Sequence, residues 1–245
     1  MVAAFVGGGV LLLLFLLLAV SLWGGGEAEL IFAPAEGSVF DVSWRMEVTE
    51  TVGAFALSRR TRHAFRAEGS MRVERPADGG RRLIYRIEKV IESDGRISWP
   101  RAGSEYVLRV DETGALAGPA AAWWLPPAVF HALPVLRGRH ASAGDEWTAK
   151  RALGETPYID PGEAELRLLL SDARGGVAEI RGRLTAPRVT WIGPLDMETT
   201  ESEVRADYDK EGRFLRRLRL SGALEARNGS RTVEVEAVAV WLPRK

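Results

Sequence analysis

The stretch Phe40-Asp41-Val42-Ser43-Trp44-Arg45-Met46-Glu47-Val48-Thr49 alternates five apolar residues with five polar ones. Successive side chains of a strand point to opposite faces of its sheet, so a period of two describes a strand buried on one side. Phe40, Val42, Trp44, Met46 and Val48 line one face; Asp41, Ser43, Arg45, Glu47 and Thr49 line the other. The pattern recurs along the chain. Leu83, Tyr85 and Ile87 alternate with Ile84, Arg86 and Glu88, and Val233, Val235, Ala237, Ala239 and Trp241 share a face near the end.

Strands are expected over 38–51, 54–67, 81–93, 197–209, 213–227 and 230–242, each longer than the usual five or six residues. Their links are short and carry turn residues: Asp94-Gly95, Gly175-Gly176 and Asn228-Gly229. Long strands with short links predict an antiparallel meander rather than parallel units with helical crossovers. The expected fold is mainly β: one antiparallel, strongly curved sheet, a half-barrel or open barrel, preceded by an apolar N-terminal helix. Asn228-Gly229-Ser230 also fits a glycosylation sequon, but an Asn-Gly turn between two alternating strands accounts for it.

An internal echo divides the domain. Asp111-Glu-Thr-Gly114 and Asp209-Lys-Glu-Gly212 each follow a strand pattern and precede an apolar restart. Such turns let Asp bond its own backbone while Gly takes positive φ. Two similar halves, 38–118 and 145–243, are one reading; chance recurrence of a common turn is the other. Between them, residues 119–144 break the alternation. Pro126-Pro127 bars a continuous helix, although a short helix fits 128–133. Trp123, Trp124, Leu125, Val129, Phe130 and Leu133 are too apolar for an ordinary solvated loop. Two tryptophans bury about 150–250 Å² each. The segment is therefore expected to plug the concave side of the sheet, or to form a lid or docking loop over an apolar cavity there. Trp123, Trp124, Leu125, Phe130 and Trp44 are the candidate apolar ligand or plug residues.

The chain opens differently. Residues 2–23, VAAFVGGGVLLLLFLLLAVSLW, carry no charge, and Glu27 is the first charged side chain. About 20 apolar residues suffice to cross a bilayer as a helix. Residues 1–26 read either as an uncleaved transmembrane signal anchor or as a signal peptide with small residues near its end. Residues 27–37 read as a linker and 38–245 as the β domain. No Lys or Arg precedes Arg45, so nothing basic holds the downstream flank in the cytoplasm. The domain is expected to be exported, periplasmic or extracytoplasmic.

The 33 Lys plus Arg balance the 33 Asp plus Glu, and the four lysines are far outnumbered by arginine. A neutral domain lacks the positive field that nucleic acid requires. With no Cys there is no disulfide, thiolate metal site or acylated cysteine. His63, His131 and His140 show no zinc-type spacing, no Gly-x-Ser-x-Gly marks a nucleophile, and the glycine patches lack the Lys-Ser/Thr of a phosphate loop. No cofactor, metal or catalytic residue is expected.

The long strands, the apolar central insert, and Leu133-Pro134-Val135 followed by Ala143-Gly144-Asp145-Glu146-Trp147 resemble the LolA/LolB-like periplasmic half-barrel proteins, lipoprotein carriers among them. The last stretch is similar to a Gly-Asp-x-Trp strand opening of exported β domains. The resemblance implies an acyl chain held between a curved sheet and a helical plug. This chain departs from it in lacking a second helical segment and in its anchor-like start. Three functions follow as expectations: a non-enzymatic envelope protein binding a lipid or lipidated partner, an accessory subunit of a membrane-associated complex, and a hydrolase with dispersed carboxylates.

Overall fold

The structure is a computed structural model that describes residues 26–54, 57–76, 80–94, 99–117, 126–153, 162–185, 189–191, 195–226 and 229–244. Thirteen strands are present among them: β1 (Glu27–Glu29), β2 (Val39–Ala54), β3 (Leu57–Glu74), β4 (Arg81–Ser93), β5 (Glu105–Val110), β6 (His140–Ser142), β7 (Glu146–Leu153), β8 (Gly162–Asp172), β9 (Val177–Thr185), β10 (Val189–Trp191), β11 (Leu195–Asp209), β12 (Phe214–Ala226) and β13 (Arg231–Pro243). Eleven of them form one antiparallel sheet in the order β5-β4-β3-β2-β13-β12-β11-β9-β8-β7, with β10 pairing β11; β1 and β6 pair separately.

Two meanders meet at the centre. One runs outward from β2 to β5, and the other runs inward from β7 to β13. They join where β13 pairs β2 from Arg231↔Val52 to Pro243↔Phe40. The alternation read from sequence gives the inner face directly. Leu170, Ile180, Ala206, Leu218, Ala239, Trp44 and Ala67 stand in register across seven strands, and all seven are buried.

Because β5 and β7 are the two edges, the chain between them must cross the sheet. It crosses over the inner face, and its residues complete the core: Phe130, Leu133, Val135 and Leu136 are buried there. The expected short helix is one 3-10 turn, Ala128–His131. Residues 27–37, read as a linker, are part of the same inner layer. β1 pairs β6, Leu30 and Phe32 are buried, and Phe32 N–H bonds the Glu112 carbonyl. The Tyr208 hydroxyl, its pKa pushed up to about 12 chiefly by burial, contacts the carbonyls of Glu29 (2.9 Å) and Ile31 (2.7 Å). A buried apolar strap obeys the rule that backbone leaving water must find partners.

Two expectations need correction. The sheet is neither closed nor strongly curled; β5 and β7 do not pair. The crossing segment fills the space that closure would have enclosed. The transmembrane helix is not supported, since no helix among the described residues is long and apolar enough to cross a membrane; residues 1–25, where the apolar N-terminal helix was expected, lie outside them. The turn echo is also chemically uneven. Asp111 Oδ1 accepts from the Thr113 and Ala115 amides and Gly114 has φ +77. In the second turn Asp209 accepts from Gly212 N–H at 2.7 Å, but the positive φ of 54° falls on Arg213. Glycine stands at 212 because a Cβ would lie 2.5 Å from the Phe214 ring. The first turn follows an edge strand and the second joins β11 to β12, so the two occupy unlike places in the sheet.

Close packing sets one further position. A Cβ on Gly69 would lie 2.0 Å from the Arg86 carbonyl oxygen and 3.0 Å from the Trp44 ring. Overpacking of this kind costs about 1–3 kcal/mol. Gly69→Ala should therefore lower the unfolding free energy, measured by urea titration, by that amount. Gly176→Ala, with nothing within 4 Å of the added methyl, should change it by less than about 0.5 kcal/mol. Equal effects would contradict this packing.

Candidate functional site

The crossing segment is anchored by a polar chain inside the core. The Trp241 indole N–H donates to the Tyr85 hydroxyl at 3.0 Å. That hydroxyl donates to His131 Nε2 at 2.6 Å, and His131 Nδ1–H donates to the Gly114 carbonyl at 2.8 Å. This sequence of donors and acceptors is satisfied by one tautomer, with the proton on Nδ1. Tyr85 and His131 are at most 1% exposed. Burial depresses the imidazole pKa to about 4 against the bond from Gly114, and it raises the Tyr85 phenol well above its ordinary range against the bond from Trp241. The imidazole is thus neutral at physiological pH. Shut away from solvent, it ties three separate parts of the chain together rather than moving protons.

The candidate residues divide three ways. Trp123, Trp124 and Leu125 lie outside the described residues. Phe130 meets Trp241 edge to face at 6.2 Å. Trp44 is 2% exposed, and its ring centroid is 5.9 Å from that of Tyr85; its indole N–H has no hydrogen-bond partner among the described residues. Phe130 and Trp44 therefore sit in the packed interior, Phe130 within the crossing segment and Trp44 on the sheet face beneath it.

An open cleft lies elsewhere, at the divergence of β9 and β11. Their ladder ends at Val204↔Gly182. Beyond it the Ser202 hydroxyl substitutes for backbone pairing, accepting from Leu184 N–H at 2.8 Å and donating to its carbonyl at 2.5 Å. β11 continues with β10 as its partner. A Cβ at Gly182 would lie 2.4 Å from the Arg167 carbonyl oxygen, so glycine permits the close approach where the strands part. The cleft measures about 1340 Å³, large for a small-molecule site. Residues of both strand registers line it. Trp147, Leu168, Leu184 and Val235 belong to the core-side register. Arg167, Arg181, Arg183, Glu203 and Glu234 belong to the solvent-side register. Trp147, Leu184 and Val235 are partly buried and pack on the core.

Arginine placement within the cleft is uneven. Arg167 pairs with Glu165 at 2.9 Å and Arg181 with Glu179 at 2.8 Å. Arg183 stands directly opposite Arg167 across the β8–β9 ladder and has no ion pair among the described residues. The Gly-Asp-x-Trp stretch opens β7 beside this cleft. Gly144 takes φ +94. Asp145 accepts from Ser142 N–H at 3.1 Å and from Arg137 at 2.6 Å, which holds its carboxyl below the usual range.

A second cluster joins His63, Asp94 and Trp99. His63 Nδ1 bonds the Asp94 carboxylate, whose other oxygen accepts from the Trp99 indole at 2.9 Å. Trp99 stacks on Phe65 at 5.3 Å. A carboxylate so placed orients an imidazole, but general-base chemistry also needs a nucleophile at the far nitrogen. His63 Nε2 makes no hydrogen bond among the described residues, and the cluster serves to fasten the β4–β5 connection. Among the same residues no group of three or more His, Asp or Glu is placed to hold a metal.

Sequence reasoning missed the Tyr85–His131 link and the cleft. Both join residues far apart in the chain. The nearest available signals were the alternation, which put Tyr85 on the inner face, and the lone histidine inside an apolar stretch. No protein-family model matches the chain, and no curated protein matches it.

Protonation of His131 gives a measurable consequence. Its ordinary pKa is 6.5 and its folded value about 4, so the unfolded chain takes up the proton first as pH falls. The stability contribution is complete above about pH 6.5 and is lost progressively toward pH 4, by about 3 kcal/mol. Urea unfolding from pH 7 to 4.5 should show this decline, and His131→Gln should flatten it. Parallel profiles for the two proteins would refute the assignment.

Proposed function

We propose that this chain is a non-enzymatic exported envelope protein that binds a lipid or a lipidated partner on its open sheet. The observation that carries the reading is the apolar strip Trp147, Leu184 and Val235. It continues the fully buried inner face into a cleft of about 1340 Å³ and is itself only partly buried. Apolar surface left at the mouth of a cleft is characteristic of ligand sites.

Physically, the sheet acts as a wall and the crossing segment as a fixed filler. The filler occupies the centre of the inner face, so an acyl chain enters where the strands diverge. The two sheet edges are linked through this filler: Arg151 of β7 bonds the carbonyl of Leu116, and Leu116 bridges to Val110 at the end of β5. The uncharged segment 2–23 and the acidic residues after it support export of the domain.

A fluorescent long-chain fatty acid tests the reading. Trp147→Ala should weaken its binding about tenfold or more, since half-burying an indole against an alkyl chain contributes on the order of 2 kcal/mol. Phe130→Leu, within the packed filler, should leave affinity nearly unchanged. Absence of binding by the unmodified protein, or equal affinity in Trp147→Ala, would remove this function.

A further inference from the structure

We infer that the free edge of β7 docks a second copy of this chain: the two β7 strands pair antiparallel about Thr148 and join two sheets into one. This goes beyond the lipid-binding reading and does not depend on it.

β7 is an end strand of the large sheet, with β8 on one side only. The phase of its ladder follows from Leu170 N–H, which donates to the Asp145 carbonyl at 3.0 Å. Hydrogen-bonded pairs alternate along an antiparallel ladder, so Trp147, Ala149, Arg151 and Leu153 turn their backbone groups toward β8. Glu146, Thr148, Lys150 and Ala152 turn theirs outward, and among the described residues nothing pairs with them. The opposite edge differs. At β5 the chain folds back on itself: Leu116 bridges Val110, and Ala117 N–H donates to the Arg109 carbonyl at 2.8 Å. A row of unpaired backbone donors and acceptors is a template for another strand.

Side-chain charge selects the occupant and the register. With Thr148 opposite its own copy, Glu146 meets the second copy's Lys150 on the outer face, twice by symmetry, and Asp145 meets the second copy's Arg151 on the inner face. Centring the pair on Glu146 or on Lys150 sets like charges directly opposite, which is destabilising. Centring it on Trp147 or Ala149 leaves Glu146 and Lys150 without each other. Glu146 has no ion pair within its own chain among the described residues. Lys150 holds Glu163 at 2.9 Å and has ammonium protons to spare. Arg151 keeps the Leu116 carbonyl and Asp145 keeps Arg137. Lysine and an inward-facing arginine ordinarily guard an edge against pairing; here each finds an acid in one register, so they select a partner instead of refusing all. The two-fold axis through Thr148 makes the contact self-complementary and closed. A strand pair buries little surface, so the contact is weak.

The sequence has no cysteine, so single cysteines in the full chain report the pairing under copper phenanthroline oxidation. Thr148→Cys should give a disulfide-linked dimer, because the two Cα atoms stand about 5.5 Å apart in this register. Ala152→Cys, on the same strand and also exposed, should give about tenfold less, because its two copies lie about 27 Å apart along the strands. Added to Thr148→Cys, Glu146→Lys should lower the dimer yield about fivefold or more through like-charge opposition, and Glu146→Asp should retain most of it. Glu146 is exposed, so its variants should unfold at the same urea concentration as the parent. No dimer from Thr148→Cys, or equal cross-linking at Thr148→Cys and Ala152→Cys, would overturn the inference; the second result would show association through another part of the chain. An unchanged yield in Glu146→Lys would overturn the register and the inference with it.

Discussion

The structure depends on one connection crossing one face of one sheet. The β5 and β7 strands are neighbours along the chain but stand at opposite edges of the sheet. Whatever joins them must pass over the inner or the outer face, and an apolar inner face cannot be left in water. The crossing segment therefore does two jobs at once. It connects the two meanders, and it supplies the second layer that a single antiparallel sheet needs to bury its apolar side. The strap from residue 26 to 37 completes that layer, because it pairs with the crossing segment through β1 and β6.

A connection of this length is irregular, and irregular backbone inside a protein must be given partners. The Trp241–Tyr85–His131–Gly114 chain meets that need with side chains. It joins the last strand, a strand of the first meander, and both parts of the crossing segment. Every member is satisfied by a single tautomer, which is the condition under which a buried polar network specifies one arrangement rather than destabilising several. The histidine is therefore explained by the architecture. The same accounting explains the Tyr208 hydroxyl, which contacts two carbonyls of the N-terminal strap.

The cleft follows from the sheet as well. The β9–β11 ladder ends at Val204↔Gly182, while β9 runs on beside β8 and β11 goes on to meet β10. The Ser202 hydroxyl bridges the first step of that separation. Beyond it, side chains of both registers reach a common space. Such an opening is unusual in combining the apolar inner face with the charged outer one.

Strand alternation is a local property, and the sequence determined it unaided. A period of two in Phe40–Thr49 or Val233–Trp241 follows from the pleat itself and requires no knowledge of partners. It predicted the antiparallel class and which residues face inward; the glycine turns at 175–176 and 229 were legible for the same reason. Tertiary structure alone decided which strands pair, that the sheet stays open, and that Ala28, Leu30 and Phe32 of the expected linker are buried in the core. It also decided that His131 meets Tyr85 and that Arg183 faces Arg167 across the β8–β9 ladder. Each of these is a contact between residues remote in sequence, and its energy depends on burial and register. Those quantities exist only after the two ends of the chain, β2 and β13, have come together at the middle of the sheet.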